Sequence, residues 1–181
     1  MVSSPRIILV DTNVWLDQYL PARPHKDKSQ EFIDSALAQG IELTYPASII
    51  KDVFYIVAVE YKRIVRSETG SLTESDARAI QQLAWGVVDN MQEIATPVGM
   101  DLSDVWLASK WRQVDADLED NLVRAAAKRA KADLLVTWDK GMLSKAVIPT
   151  LTPTDAVNEM STWFDAVQLY HALPATLLWP G

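Results

Sequence analysis

The run Ile7-Ile8-Leu9-Val10 is aliphatic at every position, and this restricts the folds open to the chain. A strand shows alternate side chains to opposite faces, so a run with no polar alternation must be covered on both. A parallel sheet with helices on each side provides that cover. A second run of the same kind, Leu134-Leu135-Val136, lies far along the chain. Both lead into acids: Asp11 follows Val10 directly, and Asp139 follows Thr137-Trp138. Open α/β sheets bind ligands beyond the carboxyl ends of their strands, so two carboxylates are delivered to that edge. Between neighbouring strands they would repel each other, and a divalent cation relieves such repulsion most simply.

The rest of the chain alternates. Strands are predicted over 6–10, 41–45, 93–98 and 134–137. Val14, Trp15, Leu16 and Tyr19 predict a short helix stopped by Pro21 and Pro24, and Phe32, Ile33, Ala36 and Leu37 have helical spacing that ends at Gly40. A long helix is predicted over 48–66 with Ser48 as its N-cap and Asp52 near its first turn. Another spans 73–88, where Thr73 and Asp76 stand at the two positions of a capping box. Helices over 101–111 and 118–130 flank the acidic turn Asp115-Ala116-Asp117, and a last one covers 154–160. The pattern predicts an α/β fold, a three-layer α/β/α sandwich on a mainly parallel sheet. At 181 residues it forms one compact unit. Residues 1–150 are expected as the domain proper. Residues 151–181, with Trp163, Phe164, Tyr170, Leu177, Leu178 and Trp179, are expected as a helical extension packed on it.

Cysteine is absent, which excludes disulfides, thiol catalysis and thiolate metal sites. His25 and His171 stand apart and outside any zinc-binding spacing, so no zinc site is expected. A net charge of -7 argues against general coating of nucleic acid, and any such role has to be focused at one site. No apolar stretch reaches membrane-spanning length, and Asp11 interrupts the apolar core that a signal peptide would need. The expected setting is cytoplasmic, without membrane contact.

Each acid also has an ordinary structural use. Asp11 could cap the helix that follows it, and 137–141 could be a plain turn. Asp117 could cap the Ala-rich helix and place Asp120 in its first turn, where the helix dipole favours negative charge. Yet Asp115, Asp117, Glu119 and Asp120 crowd together more charge than one helix end needs, so some of them should face a cation. Arg124, Lys128 and Lys131 follow at helical spacing and read as a solvated face rather than a phosphate track. Asp52 alone would be an unremarked first-turn acid; the joint occurrence of the acids makes it a site residue.

Four segments, Asp11-Thr12-Asn13, Ser48-Ile49-Ile50-Lys51-Asp52-Val53-Phe54-Tyr55-Ile56, Asp117-Leu118-Glu119-Asp120-Asn121-Leu122 and Thr137-Trp138-Asp139, together resemble the PIN-domain ribonucleases, VapC-like toxins among them. The likeness runs over 6–150 and is nearest to the subgroup whose central motif reads Asp-Phe-Glu-Asp-Ala-Leu. It implies a Rossmann-like sheet and an acidic pocket holding one or two Mg²⁺ or Mn²⁺ ions, in which RNA phosphodiester bonds are hydrolysed. The family's first, third and fourth acids map onto Asp11, Asp120 and Asp139. The second, usually Glu, falls on Asp52, one methylene shorter. Asn13 and Thr137 match residues that support the carboxylates, and Asp117 matches a more variable position. The chain is longer than a minimal PIN domain around 73–88 and after Thr150.

The resemblance further implies an RNA substrate, a small antitoxin protein if the chain is the toxin of a pair, and a homodimer. Basic residues that could grip substrate are Lys51, Arg124, Lys140 and the group Lys62, Arg63 and Arg66. Two other readings stay open. A PIN-like fold kept as a binding or regulatory module would account for Asp52 and the added tail. A haloacid-dehalogenase-like phosphatase also uses Asp after its first strand, but needs an acid where Asn13 stands.

Overall fold

The computed structural model describes residues 6–172, with side chains as far as Trp163. In chain order the elements are β1 (Ile7–Val10), α1 (Thr12–Tyr19), α2 (Lys26–Ala38), β2 (Glu42–Pro46), α3 (Ile49–Thr69), α4 (Glu74–Ile94), β3 (Thr96–Val98), α5 (Leu102–Trp111), α6 (Leu118–Arg129), β4 (Leu134–Val136), α7 (Lys140–Ser144), β5 (Thr150–Leu151) and α8 (Pro153–Ala172). The strands form one parallel sheet in the order β3-β2-β1-β4-β5. Leu9 pairs with Thr44 on one side and Leu135 on the other, so β1 is the central strand.

The two-sided burial expected of the aliphatic runs is realised residue by residue. Ile8, Val10, Leu134 and Val136 face one core with Leu43 and Tyr45, closed by α1, α2, α3, α4 and the start of α8. Leu9 and Leu135 face the other, against Val123, Ala126 and Ala127 of α6 and Met142 of α7. Alternate side chains of the same strand thus enter opposite layers. The alanines of α6 let that helix approach the sheet closely, and burial of each large aliphatic side chain contributes on the order of 1.5–3 kcal/mol.

Local signals explain most boundaries. Thr73 and Asp76 form the expected capping box, with Thr73 N donating to Asp76 Oδ2 at 2.9 Å and Asp76 N to Thr73 Oγ1 at 3.1 Å. Gly70, at φ +79°, ends α3 by donating its N–H to the Arg66 carbonyl, a left-handed position that favours glycine. Four expectations need correction. Ser48 makes no side-chain cap bond, because its backbone is already helical rather than in the extended conformation of a capping residue. Glu93 and Ile94 are helical, since Ile80, Ala84, Val87 and Met91 continue one buried face of α4 to its end, leaving β3 only three residues. The segments α7 and β5 were not expected at all. Arg124 is buried, not solvated, as described below.

The helix expected over 154–160 is the start of the longer α8, whose Ala156 and Met160 enter the larger core. Trp163 lies under the Arg6 guanidinium, 4.7 Å from the ring centre. Phe164 and Tyr170 fall on the α8 backbone, and Leu177, Leu178 and Trp179 lie outside the described residues. Among the described residues no helix is long and apolar enough to cross a membrane.

Candidate functional site

The chain leaves β1 into α1 and α2 on the larger layer and leaves β4 into α7, whose Met142 enters the smaller one. Neighbouring strands whose connections part to opposite faces open a crevice at their carboxyl ends, the usual ligand position in such sheets. Asp11 and Asp139 stand at the mouth of this crevice, and α6 brings Asp120 to it.

Asp11 is 7% exposed and is held on all sides. Its Oδ1 accepts from Thr12 N at 2.6 Å; its Oδ2 accepts from Asn13 Nδ2 at 2.6 Å and from Thr137 Oγ1 at 2.7 Å. Asn13 Oδ1 in turn accepts from Trp138 N at 3.0 Å, and Thr137 Oγ1 accepts from Asp139 N at 2.9 Å. The residues after β1 and after β4 are thereby stitched into one network, with Asn13 and Thr137 in the supporting positions. Asp11 is a helix cap that also stands at the crevice, so capping does not rule out the second reading.

Asp139 caps α7, its Oδ1 accepting from Met142 N at 2.8 Å. Gly141 leaves room beside it: a Cβ there would stand 2.9 Å from that same oxygen and press on the carboxylate. Asp117 caps α6 by accepting from Glu119 N and Asp120 N at 2.8 and 3.2 Å. Its role is to start the helix that carries Asp120, as the sequence allowed.

The charge of Asp139 acts on both of the other crevice acids, Asp11 and Asp120. Burial pushes the Asp11 carboxyl up; hydrogen bonds from Thr137 and Thr12 oppose this, and the charges of Asp139 and Glu119 add to it. Burial, with the charges of Asp117 and Asp139, pushes Asp120 up to about 6, and Arg124 partly offsets this. Glu119, whose charge also reaches this edge, is not singled out by the sequence. It was visible only as part of an acidic cluster, and nothing in one dimension showed that it would reach the field of both Asp11 and Lys51.

Asp52 is not drawn in to the same degree. Its carboxylate is taken by Lys51 Nζ at 2.7 Å, and it is not among the charges acting most strongly on Asp11 or Asp120. Lys51 is likewise engaged. Arg124 is excluded as a substrate grip, because it is 1% exposed and its Nη2 is paired with Asp115 Oδ2 at 3.0 Å. Asp115 is thus the acid that faces a cation.

Oxygen donors carrying excess negative charge fit a hard divalent cation in kind. They do not yet form a closed set: among the described residues no group of three Asp, Glu or His side chains is placed around one point. Asp52 is drawn away by Lys51, and one oxygen of Asp139 is committed to α7.

The charge distribution predicts a pH dependence of the metal-free protein. Raised carboxyls contribute stability that is present below the unfolded pKa, near 3.8, and is lost as pH rises through the folded value, about 6 for Asp120. Asp101, held at about 2 by hydrogen bonds from Ser103 and by Arg129, acts oppositely, its contribution being lost only as pH falls through about 2. Thermal melting without metal is therefore expected to drop between pH 4 and about 6.5, and added Mn²⁺ to restore it at the upper end. A melting temperature that rises across this window would contradict the arrangement.

A comparison with curated proteins finds no match. The family model described as PIN domain matches residues 7–141, about three quarters of the chain. The matched span begins at β1 and ends just past Asp139, enclosing the whole crevice. With this match and the five-stranded parallel sheet between helical layers, the chain belongs to the PIN-domain family, a family of nucleases.

Proposed function

We propose that the chain is a divalent-cation-dependent ribonuclease whose crevice between β1 and β4 cuts RNA phosphodiester bonds. The observation that carries this reading is that the charge of Asp139 reaches both Asp11 and Asp120, three carboxylates from distant parts of the sequence, at the carboxyl edge. When bound, Mg²⁺ or Mn²⁺ supplies Lewis acidity toward water and phosphate and neutralises the acids. Asp11, Asp120 and Asp139 would hold it, with Asp52 joining after release from Lys51. Asn13 and Thr137 orient Asp11 through the bonds described above. Asp120 is pushed up to about 6 in the metal-free protein, and a bound cation would offset the charges responsible and keep it ionised as a ligand.

Labelled RNA is expected to be cut in Mg²⁺ or Mn²⁺, left intact in excess EDTA, and cut again when metal is restored. Cutting that persists in EDTA, in a preparation free of contaminating nuclease, would overturn the proposal. A second reading, a binding module without catalysis, draws on the engagement of Asp52 by Lys51. It is distinguished by intact RNA retained on a protein that takes up no Mn²⁺.

The same reading includes protein contacts. Tyr55, Val59 and Trp85 are exposed on α3 and α4, and Leu102, Val105 and Trp106 on α5. A second copy or a small antitoxin would cover such surface.

A further inference from the structure

Asp115, in the turn between α5 and α6, is the meeting point of three elements. Its Oδ2 accepts from Arg124 Nη2 at 3.0 Å; its Oδ1 accepts from Lys145 Nζ at 3.2 Å and from Asp117 N at 3.3 Å. Its carbonyl accepts from Asn121 Nδ2 at 2.8 Å, and Asn121 Oδ1 accepts from Arg124 Nη1 at 2.9 Å. Arg124 and Asn121 belong to α6, the helix that carries Asp120. Lys145 is the residue that ends α7, the helix that Asp139 begins. Asp115 is buried, as is Arg124, whose Nε has no hydrogen-bond partner, so the guanidinium is placed by its Nη bonds.

Asp120 and Asp139 repel each other, and among the described residues no hydrogen bond or ion pair ties α6 to α7 at their acidic ends. We propose that Asp115, with Arg124 and Lys145, is a positioning clamp that holds these two helices together and so sets the gap between Asp120 and Asp139. None of the three touches the crevice acids by hydrogen bond. The clamp acts from behind, by fixing the end of the short α7 against the start of α6. Its meaning for metal binding rests on the nuclease reading; its mechanical part does not.

Lys145 is the member to change, being 46% exposed and outside the core, so its loss leaves the Asp115–Arg124 pair intact. Charge and geometry predict opposite signs. Removing a cation near an acidic crevice strengthens its attraction for Mn²⁺, whereas releasing α7 spoils the spacing of the ligands. Lys145→Met is expected to weaken Mn²⁺ binding by calorimetry about three- to tenfold, toward the low end of supporting-residue effects. Lys145→Arg is expected to stay within about twofold of the unchanged protein, and Lys140→Met, which removes the charge next to Asp139 without touching the clamp, to bind Mn²⁺ equally or more tightly. Binding by Lys145→Met as tight as that of the unchanged protein, or tighter, would overturn the proposal.

Amide exchange in the metal-free protein provides a second, independent readout. Lys145→Met is expected to speed exchange together at Met142 and Leu143 of α7 and at Glu119 and Asp120 of α6; faster exchange confined to the residues around Lys145 would overturn the clamp. An unchanged protein that takes up no Mn²⁺ would sink the nuclease reading, and the exchange result would then decide the clamp by itself.

Discussion

Asp11→Asn is expected to lower RNA cleavage by at least about a hundredfold, the upper range for residues that merely support a metal's ligands, while changing stability at neutral pH comparatively little, because relief of the buried charge offsets the hydrogen bonds lost at Oδ2. Asp11 is buried, and its charged form is opposed by burial and by Asp139 and Glu119. Asn removes that charge and keeps an oxygen for Thr12 N, and it loses the Oδ2 acceptor that Asn13 Nδ2 and Thr137 Oγ1 share. What disappears is the anionic oxygen for a cation. Cleavage rates and thermal melts on the same preparation test this: equal losses in both would make Asp11 a structural residue, and undiminished cleavage would remove it from the site.

Asp115→Ala carries the largest expected loss of stability. Breaking a buried ion pair by removing one partner leaves an uncompensated charge and costs on the order of 3–5 kcal/mol. For a chain of this size each kcal/mol shifts the melting temperature by about 2–4 °C, so a fall of about 6–20 °C is expected. The double variant Asp115→Ala with Arg124→Met is expected to recover part of it, because the stranded guanidinium has gone. Denaturant midpoints measured on the single and double variants provide the comparison. A single variant within about 1 kcal/mol of the unchanged protein would show that water reaches Arg124 and that the pair is not sealed.

The features that could be read from one dimension are those dictated by neighbours in the chain. Burial on both faces made Ile8, Leu9 and Val10 a central strand, and the Thr73–Asp76 box announced α4. Asp11, Asp120 and Asp139 stand out in the sequence because strand ends and helix starts deliver side chains to one edge of the sheet. Failures came where distant partners decide. Arg124 has the spacing of a surface cation beside Lys128 and Lys131, and only the return of the Asp115 turn over α6 makes it a core residue. β5 has two residues and α7 five, too few to show any period. Glu93 and Ile94 were taken for a strand although the buried spacing of Ile80, Ala84, Val87 and Met91 ran on toward them; there the helical period was present and stopped too early. The engagement of Asp52 by its own neighbour Lys51 could not be foreseen, since adjacent opposite charges on a helix do not ordinarily face each other.

Crystals grown with Mn²⁺ and measured at an energy where manganese scatters anomalously offer the most direct test of the crevice. A peak is predicted in contact with Asp11 and with Asp120 or Asp139. A peak that lies elsewhere, or a crevice in which Asp11 still meets only Thr12, Asn13 and Thr137 at saturating Mn²⁺, would contradict the assignment of this edge as a metal-dependent nuclease site.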